Sequence, residues 1–152
     1  MANTQAMCTS FMGELLTGTH NFTTGTGDSF KAALYLSSAT INAGTTVYSS
    51  TGEVSGSGYT AGGVAVTNGT SPLSSNTSTT AGTAYWTPSA ALVYTSVTLT
   101  SSFNCVLIYN TSKTNKAVSV HTFGDQTITA GTFTLTMPTN STATALLRLA
   151  TT

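Results

Sequence analysis

The sequence predicts an all-β fold: an antiparallel β-sandwich of jelly-roll-like type with a short N-terminal helical arm. Three observations lead there. Apolar residues alternate with threonine at a period of two through much of the chain, the pattern of half-buried strands. Such runs recur about every ten residues between clusters of Gly, Pro, Asn and Ser, a spacing typical of sandwiches and barrels. No helical pattern separates the runs, so neighbouring strands pair antiparallel.

Composition bounds what the fold can do. The 152 residues imply one domain with enough chain to bury a core without disulfide support. Only 5% of residues are charged, against about 25% in ordinary domains, and four bases balance four acids. Nucleic acid is therefore not an expected partner, since phosphate binding needs clustered cations. Lys113 and Lys116 come nearest to a basic patch and read as solvated loop residues. Thr fills roughly a quarter of the chain, yet 39% of residues are hydrophobic and lie in β-branched runs, which excludes disorder. A neutral chain this poor in charge suits a life inside an assembly, because interface cores are depleted in charge.

Residues 1–21 are read as the arm and 22–152 as the sandwich. In the arm, Thr9 or Ser10 caps a short helix through Leu16, with Gly18 past its end. Phe11, Leu15 and Leu16 form its apolar face. One or two turns do not stand alone, so this face docks either on its own sandwich or on a neighbouring subunit. Strands are then expected at 29–36, 46–48 and 58–66, with Gly62-Gly63 marking a bulge or a close backbone approach. Asn68–Gly82 reads as a long Ser/Thr/Asn/Gly loop around Pro72. Further short strands follow at 83–87, 92–100, 103–110, 116–123, 126–129, 132–137 and 146–149.

Two of these strands say more. Phe103–Tyr109 is apolar on both faces, which marks a central strand covered on both sides. The helix or a partner subunit is the expected second cover. Between Thr132 and Met137, Phe133, Leu135 and Met137 point inward, while Thr132, Thr134 and Thr136 form an uncharged outer ladder open to pairing with another chain.

Chemistry finds little material. The four acids and two histidines leave few catalytic combinations. His121 and Asp125 are about 13 Å apart in an extended strand, too far to bond unless Gly124 turns the chain. His121 shares a face with Ser119, opposite Val118 and Val120, and reads as solvent-facing. His20 and Asp28 flank Gly25-Thr26-Gly27 without a nucleophile elbow. Glu14 and Glu53 lack a carboxylate partner. No Cys/His spacing fits zinc and no loop fits calcium, so no catalytic residue, metal or cofactor is assigned. Gly56–Gly62 reads as a turn, because its glycine spacing does not match a phosphate loop and a strand follows it. Tyr85-Trp86 reads as core, with stacking on a sugar as the other possibility. Cys8 and Cys105 are expected as free thiols. No signal peptide or membrane-length apolar run is seen, so the chain is expected to work in the cytosol or leave by lysis.

The opening Met1-Ala2-Asn3-Thr4-Gln5-Ala6-Met7-Cys8-Thr9-Ser10-Phe11, the stretch Phe30–Leu36, the segment Gly58–Gly63 and the tail Gly131–Pro138 resemble small virion structural proteins of tailed bacteriophages. Within that group, a sandwich of this size is similar to capsid cement (decoration) proteins. The resemblance implies a non-enzymatic protein on the outer head surface, assembled in the host cytoplasm. It would be a dimer or trimer that bridges and stabilises major capsid subunits, with the N-terminal segment as an arm and no membrane partner. A tail, collar or fibre component, binding host glycans through residues 68–82 and Tyr85-Trp86, is the alternative. The expected assembly contacts are Phe11, Leu15, Leu16, Thr132, Thr134 and Thr136.

Overall fold

The computed structural model describes residues 2–77 and 80–151. In chain order its elements are β1 (Ala6–Met7), α1 (Thr9–Leu16), β2 (Phe30–Leu36), β3 (Val64–Val66), β4 (Leu73–Thr77), β5 (Thr80–Trp86), β6 (Leu92–Asn110), a 3₁₀ turn (Thr111–Lys113), β7 (Lys116–Leu135) and β8 (Leu147–Ala150). The chain is thus mostly strand, in antiparallel sheets. The larger sheet has the order β1-β7-β6-β2-β3 and the smaller β4-β5-β8.

One hairpin dominates. The runs expected as separate strands at 92–100 and 103–110 form a single strand of 19 residues, and those at 116–123, 126–129 and 132–137 merge into one of 20. The expected breaks are register shifts instead: between Leu99 and Phe103, between Phe103 and Cys105 opposite Gln126 and Thr122, and between Val97 and Leu99 opposite Gly131 and Ile128. Ser96 and Ala130 take positive φ of 53° and 47° nearby. A bulge bends a ladder without ending it, and it uses the same small polar residues as a turn. Composition alone does not separate the two.

The central position of Phe103–Tyr109 is as expected: β6 is third of five strands, and from Cys105 to Asn110 every residue is buried. On one face, Phe30 of β2 stacks on Phe22 at 4.5 Å, and Trp86 of the smaller sheet packs against Phe22 at 4.8 Å. Phe11 of α1 joins this cluster, 5.9 Å from Phe22. The other face is closed by residues 37–63, not by the helix or a partner. Tyr48 stacks on Tyr109 at 4.6 Å, and the Tyr35 hydroxyl donates to the Ser49 carbonyl at 2.6 Å. This segment crosses the sheet from a bridge at Val47–Lys116 to one at Tyr35–Glu53.

Glycine makes the closure possible at one point. Gly63 has φ +73°, and a Cβ there would lie 1.7 Å from the Ala32 carbonyl oxygen, the close approach expected at the Gly62-Gly63 pair. Strand character in the 58–66 run is confined to Val64–Val66, and 46–48 contributes a single bridge.

The loop expected at Asn68–Gly82 is partly strand, since β4 and the start of β5 lie within it, and Ser75 pairs with Thr83. A hairpin with little apolar content carries no alternating signal, so its pairing was hidden. Ser78 and Thr79, inside that expected loop, lie outside the described residues.

Ahead of residue 22 the chain is built into the sheet. Ala6 and Met7 pair with Val120 and Ser119, and α1 follows against β7. Cys8, not Thr9 or Ser10, occupies the helix cap and makes no side-chain cap bond. The far end closes as expected at Gly18, with φ 65° and an amide bond to Leu15 O at 3.1 Å.

Candidate assembly surface

The helical residues expected as assembly contacts divide between interior and surface. Phe11 is 2% exposed, with its ring edge-on to His20 at 5.0 Å, so it belongs to the core and is corrected from the expected contacts. On so short a helix, only the apolar stripe that faces its own sheet is drawn inward. Leu15, one turn on, is half-buried. It walls an apolar cavity of about 90 Å³ together with Met7, Phe22, Trp86, Leu147 and Leu149. Leu16 is 91% exposed, and Met12, one turn before it, is 42% exposed. The helix therefore carries two apolar stripes, an inner one at Phe11 and Leu15 and an outer one at Met12 and Leu16.

The threonine ladder lies where alternation placed it. Phe133 is buried, Leu135 and Met137 are half-buried, and Thr132, Thr134 and Thr136 are exposed, with Thr136 just past the end of β7. Val93, opposite Thr134, is also exposed on this face. The outer edge of β7 is capped only at its start, by β1 at Ser119 and Val120 and by the bridge of Val47 to Lys116. From His121 to Leu135 no described strand pairs on that side. Asp125 is the one carboxylate along this stretch.

The ionisable residues mostly face one another. Glu14 receives His20 Nε2 at 2.7 Å and the Lys116 ammonium. The Asn110 amide nitrogen reaches His20 Nδ1 at 2.9 Å and Asp28 Oδ2 at 2.8 Å, while its oxygen accepts from the Ser112 amide at 3.0 Å. That orientation makes His20 Nδ1 an acceptor and Nε2–H the donor to Glu14. Lys113 lies 3.6 Å from Asp28. Both lysines read as solvated are thus paired, a link across 102 positions for Glu14 and Lys116 that local sequence does not reveal. Burial raises the pKa of each carboxylate, but the Lys116 and His20 bonds to Glu14 outweigh it, as do the Asn110, Asn21 and Lys113 bonds to Asp28. Both therefore end below the ordinary carboxylate range. Five of the ten Asp, Glu, Lys, Arg and His side chains are spent in this one network, and both nitrogens of His20 are occupied.

A second network centres on Glu53, which is buried. Its carboxylate accepts from Tyr48 Oη at 2.6 Å, Tyr59 Oη at 2.7 Å and the Gly62 amide at 2.7 Å. Tyr59 Oη also accepts from the Leu34 amide at 3.0 Å. A lone acid among glycines and tyrosines gave no catalytic signal. Its role is to hold residues 37–63 against β2.

The remaining expected residues do not converge. His121 Nε2 lies 2.9 Å from Ser119 Oγ, whereas Asp125 accepts from Ser37 at 3.0 Å and Asn104 at 2.9 Å, so the two are held by different partners. His121 is half-buried where a solvent-facing residue was expected, and burial lowers its pKa to about 4. Trp86 is core, as expected, with its indole N–H shared between Asn68 Oδ1 and Thr70 O. Cys8 and Cys105 are free and buried. Burial first, then the Glu14 charge, pushes Cys8 to about 12, and burial, then Cys8, does the same for Cys105. Among the described residues no three His, Cys, Asp or Glu side chains gather as a metal site, and no helix is long and apolar enough to cross a membrane. No family model matches the chain, and no curated protein or solved structure is detectably similar to it.

Proposed function

We propose that the chain is a non-enzymatic structural protein of a tailed-phage virion. In this reading it is a capsid cement protein that binds the outer head surface and bridges major capsid subunits and copies of itself. The finer description of its two sheets as a jelly-roll-like sandwich goes with that reading. The observation that carries it is the open edge of β7 from His121 to Leu135, flanked by Thr132, Thr134 and Thr136 and holding one carboxylate. A long unpaired edge with a single charge and no proline is an aggregation hazard in a free monomer but a template for strand pairing inside an assembly. Engagement of Glu14, Asp28, Glu53, Lys113 and Lys116, five of the eight charged side chains, within the chain supports the same reading, because shape-matched contact is then the main interaction left to the surface. A glycan-binding tail role loses Trp86 as a stacking surface, since that ring is buried, and keeps Tyr85, which is half-buried.

Cryo-electron microscopy of the virion, with copy number from quantitative mass spectrometry, tests the proposal. Hundreds of copies in register with the head lattice are expected. A few to tens of copies at the tail or collar would overturn it.

A further inference from the structure

We infer that two copies of this chain associate through α1 about a two-fold axis, each seating its Leu16 in the other's apolar cavity. The inference rests on the assembly reading and names one partner and one contact for it.

The occupant follows from the chemistry of the cavity. Its walls include Met7, Phe11, Leu15, Phe22, Trp86 and Leu147, and no polar surface faces into it. A polar or charged group entering there would lose its hydration without gaining a hydrogen bond. The opening, about 90 Å³, suits a single aliphatic side chain. Ala84, which is exposed, and Leu149, 45% exposed, stand among its lining residues.

A side chain of the required kind stands beside it. Leu16 adjoins the wall residue Leu15 and is 91% exposed, more than any other large apolar residue described. At about 100° per residue, Met12 and Leu16 lie on the flank of the Phe11–Leu15 stripe away from Glu14. Knob and hole therefore adjoin on one patch, as an isologous two-fold contact requires: each residue that inserts belongs to the surface that receives. Gly13 lies beyond the outer stripe, next to Leu16 and opposite the Phe11–Leu15 stripe, and a Cβ there would meet nothing within 4 Å, so the helix surface beside Leu16 is open to close approach.

Charge does not oppose the contact. Glu14, the only ionisable residue of α1, is engaged by Lys116 and His20. Arg148 alternates to the opposite face of β8 from Leu147 and Leu149, and its guanidinium bonds the Ala143 carbonyl. A patch this small makes a weak dimer in solution, and the high local concentration on a capsid lattice would keep it formed.

Analytical ultracentrifugation over a concentration series tests the pairing with two surface variants, their folding checked by circular dichroism. Leu16→Lys removes the knob, and Ala84→Trp blocks the hole. Each is expected to weaken self-association about thirtyfold or more, the loss typical of a central anchor residue. The mixture discriminates further. A heterodimer of the two variants keeps one intact seat, Leu16 of the Ala84→Trp chain in the cavity of the Leu16→Lys chain, so the mixture should associate more tightly than either variant alone. Dimerisation unchanged in Leu16→Lys, or a mixture no tighter than its components, would overturn the reciprocal seat. A wild-type chain that stays monomeric yet decorates heads would overturn the seat and leave the assembly reading standing. A monomer absent from the head would overturn both.

Discussion

Replacing Glu53 by alanine should be among the most damaging single changes available in this protein. The substitution strips the acceptor from three donors at once: Tyr48 Oη, Tyr59 Oη and the Gly62 amide. They differ in what they can do next. Tyr48 is half-buried and turns to water at small cost. Tyr59 keeps the Leu34 amide as a donor to it but loses the acceptor for its own proton. The Gly62 amide is buried and loses its carboxylate acceptor, and the neighbouring Tyr48 hydroxyl is a weaker, uncharged replacement. Each orphaned buried donor costs about 1–3 kcal/mol. Relief from desolvating the carboxylate offsets part of the loss. The net expectation is a loss of about 3–4 kcal/mol, a large share of the ~5–15 kcal/mol that holds a domain together. Glu53→Gln keeps one acceptor oxygen and should lose only about half as much. Urea unfolding followed by Trp86 fluorescence and far-ultraviolet circular dichroism reads both, with the m-value expected to stay constant. A loss below about 1 kcal/mol for Glu53→Ala would show that residues 37–63 are not held by this carboxylate.

Other expectations follow from the same structure. His121 is held down to about 4 from 6.5, so its contribution to stability is complete above pH 6.5 and lost as pH falls through 4. Urea titrations between those values should show a decline of up to about 3 kcal/mol that His121→Gln flattens, and an unchanged slope in that variant would refute the assignment. Glu14 and Asp28, held below the ordinary carboxylate range, extend the loss in the same direction at lower pH. Gly63→Ala should cost about 2–4 kcal/mol in the same unfolding assay, because its Cβ meets the Ala32 carbonyl and φ is positive. Gly13→Ala, where nothing is met, should be neutral or slightly stabilising. Cys8 and Cys105, buried with pKa near 12, should be alkylated at least ~100-fold more slowly in the native state than in urea, and rapid native labelling of either would contradict its burial.

Local pattern was enough wherever burial repeats along one strand. Phe133, Leu135 and Met137 alternate with Thr132, Thr134 and Thr136, and the inward and outward sets could be read without coordinates. The central position of β6 was legible for the same reason, since Phe103–Tyr109 is apolar on both sides. Gly62-Gly63 announced a bulge or a close approach, and the close approach is what the structure shows, since any side chain at Gly63 would meet the Ala32 carbonyl. Bulges were illegible as such, because Gly124 and Gly131 are as much turn residues as bulge residues.

By itself the sequence determined a neutral, charge-poor, antiparallel β protein with a central apolar strand, an outward threonine row and a short helix that must dock. Alternation and composition are properties of neighbouring residues, and neighbouring residues suffice to set them. Only the tertiary structure decided which apolar helical residue turns inward and which stays outside, and that residues 37–63 close the second face. It also decided that Glu14 meets Lys116 and that Glu53 gathers two tyrosines. Those outcomes depend on which distant segments the folded chain brings within bonding distance, and hydrogen bonds and side-chain packing act over only a few ångströms, whatever the separation along the chain.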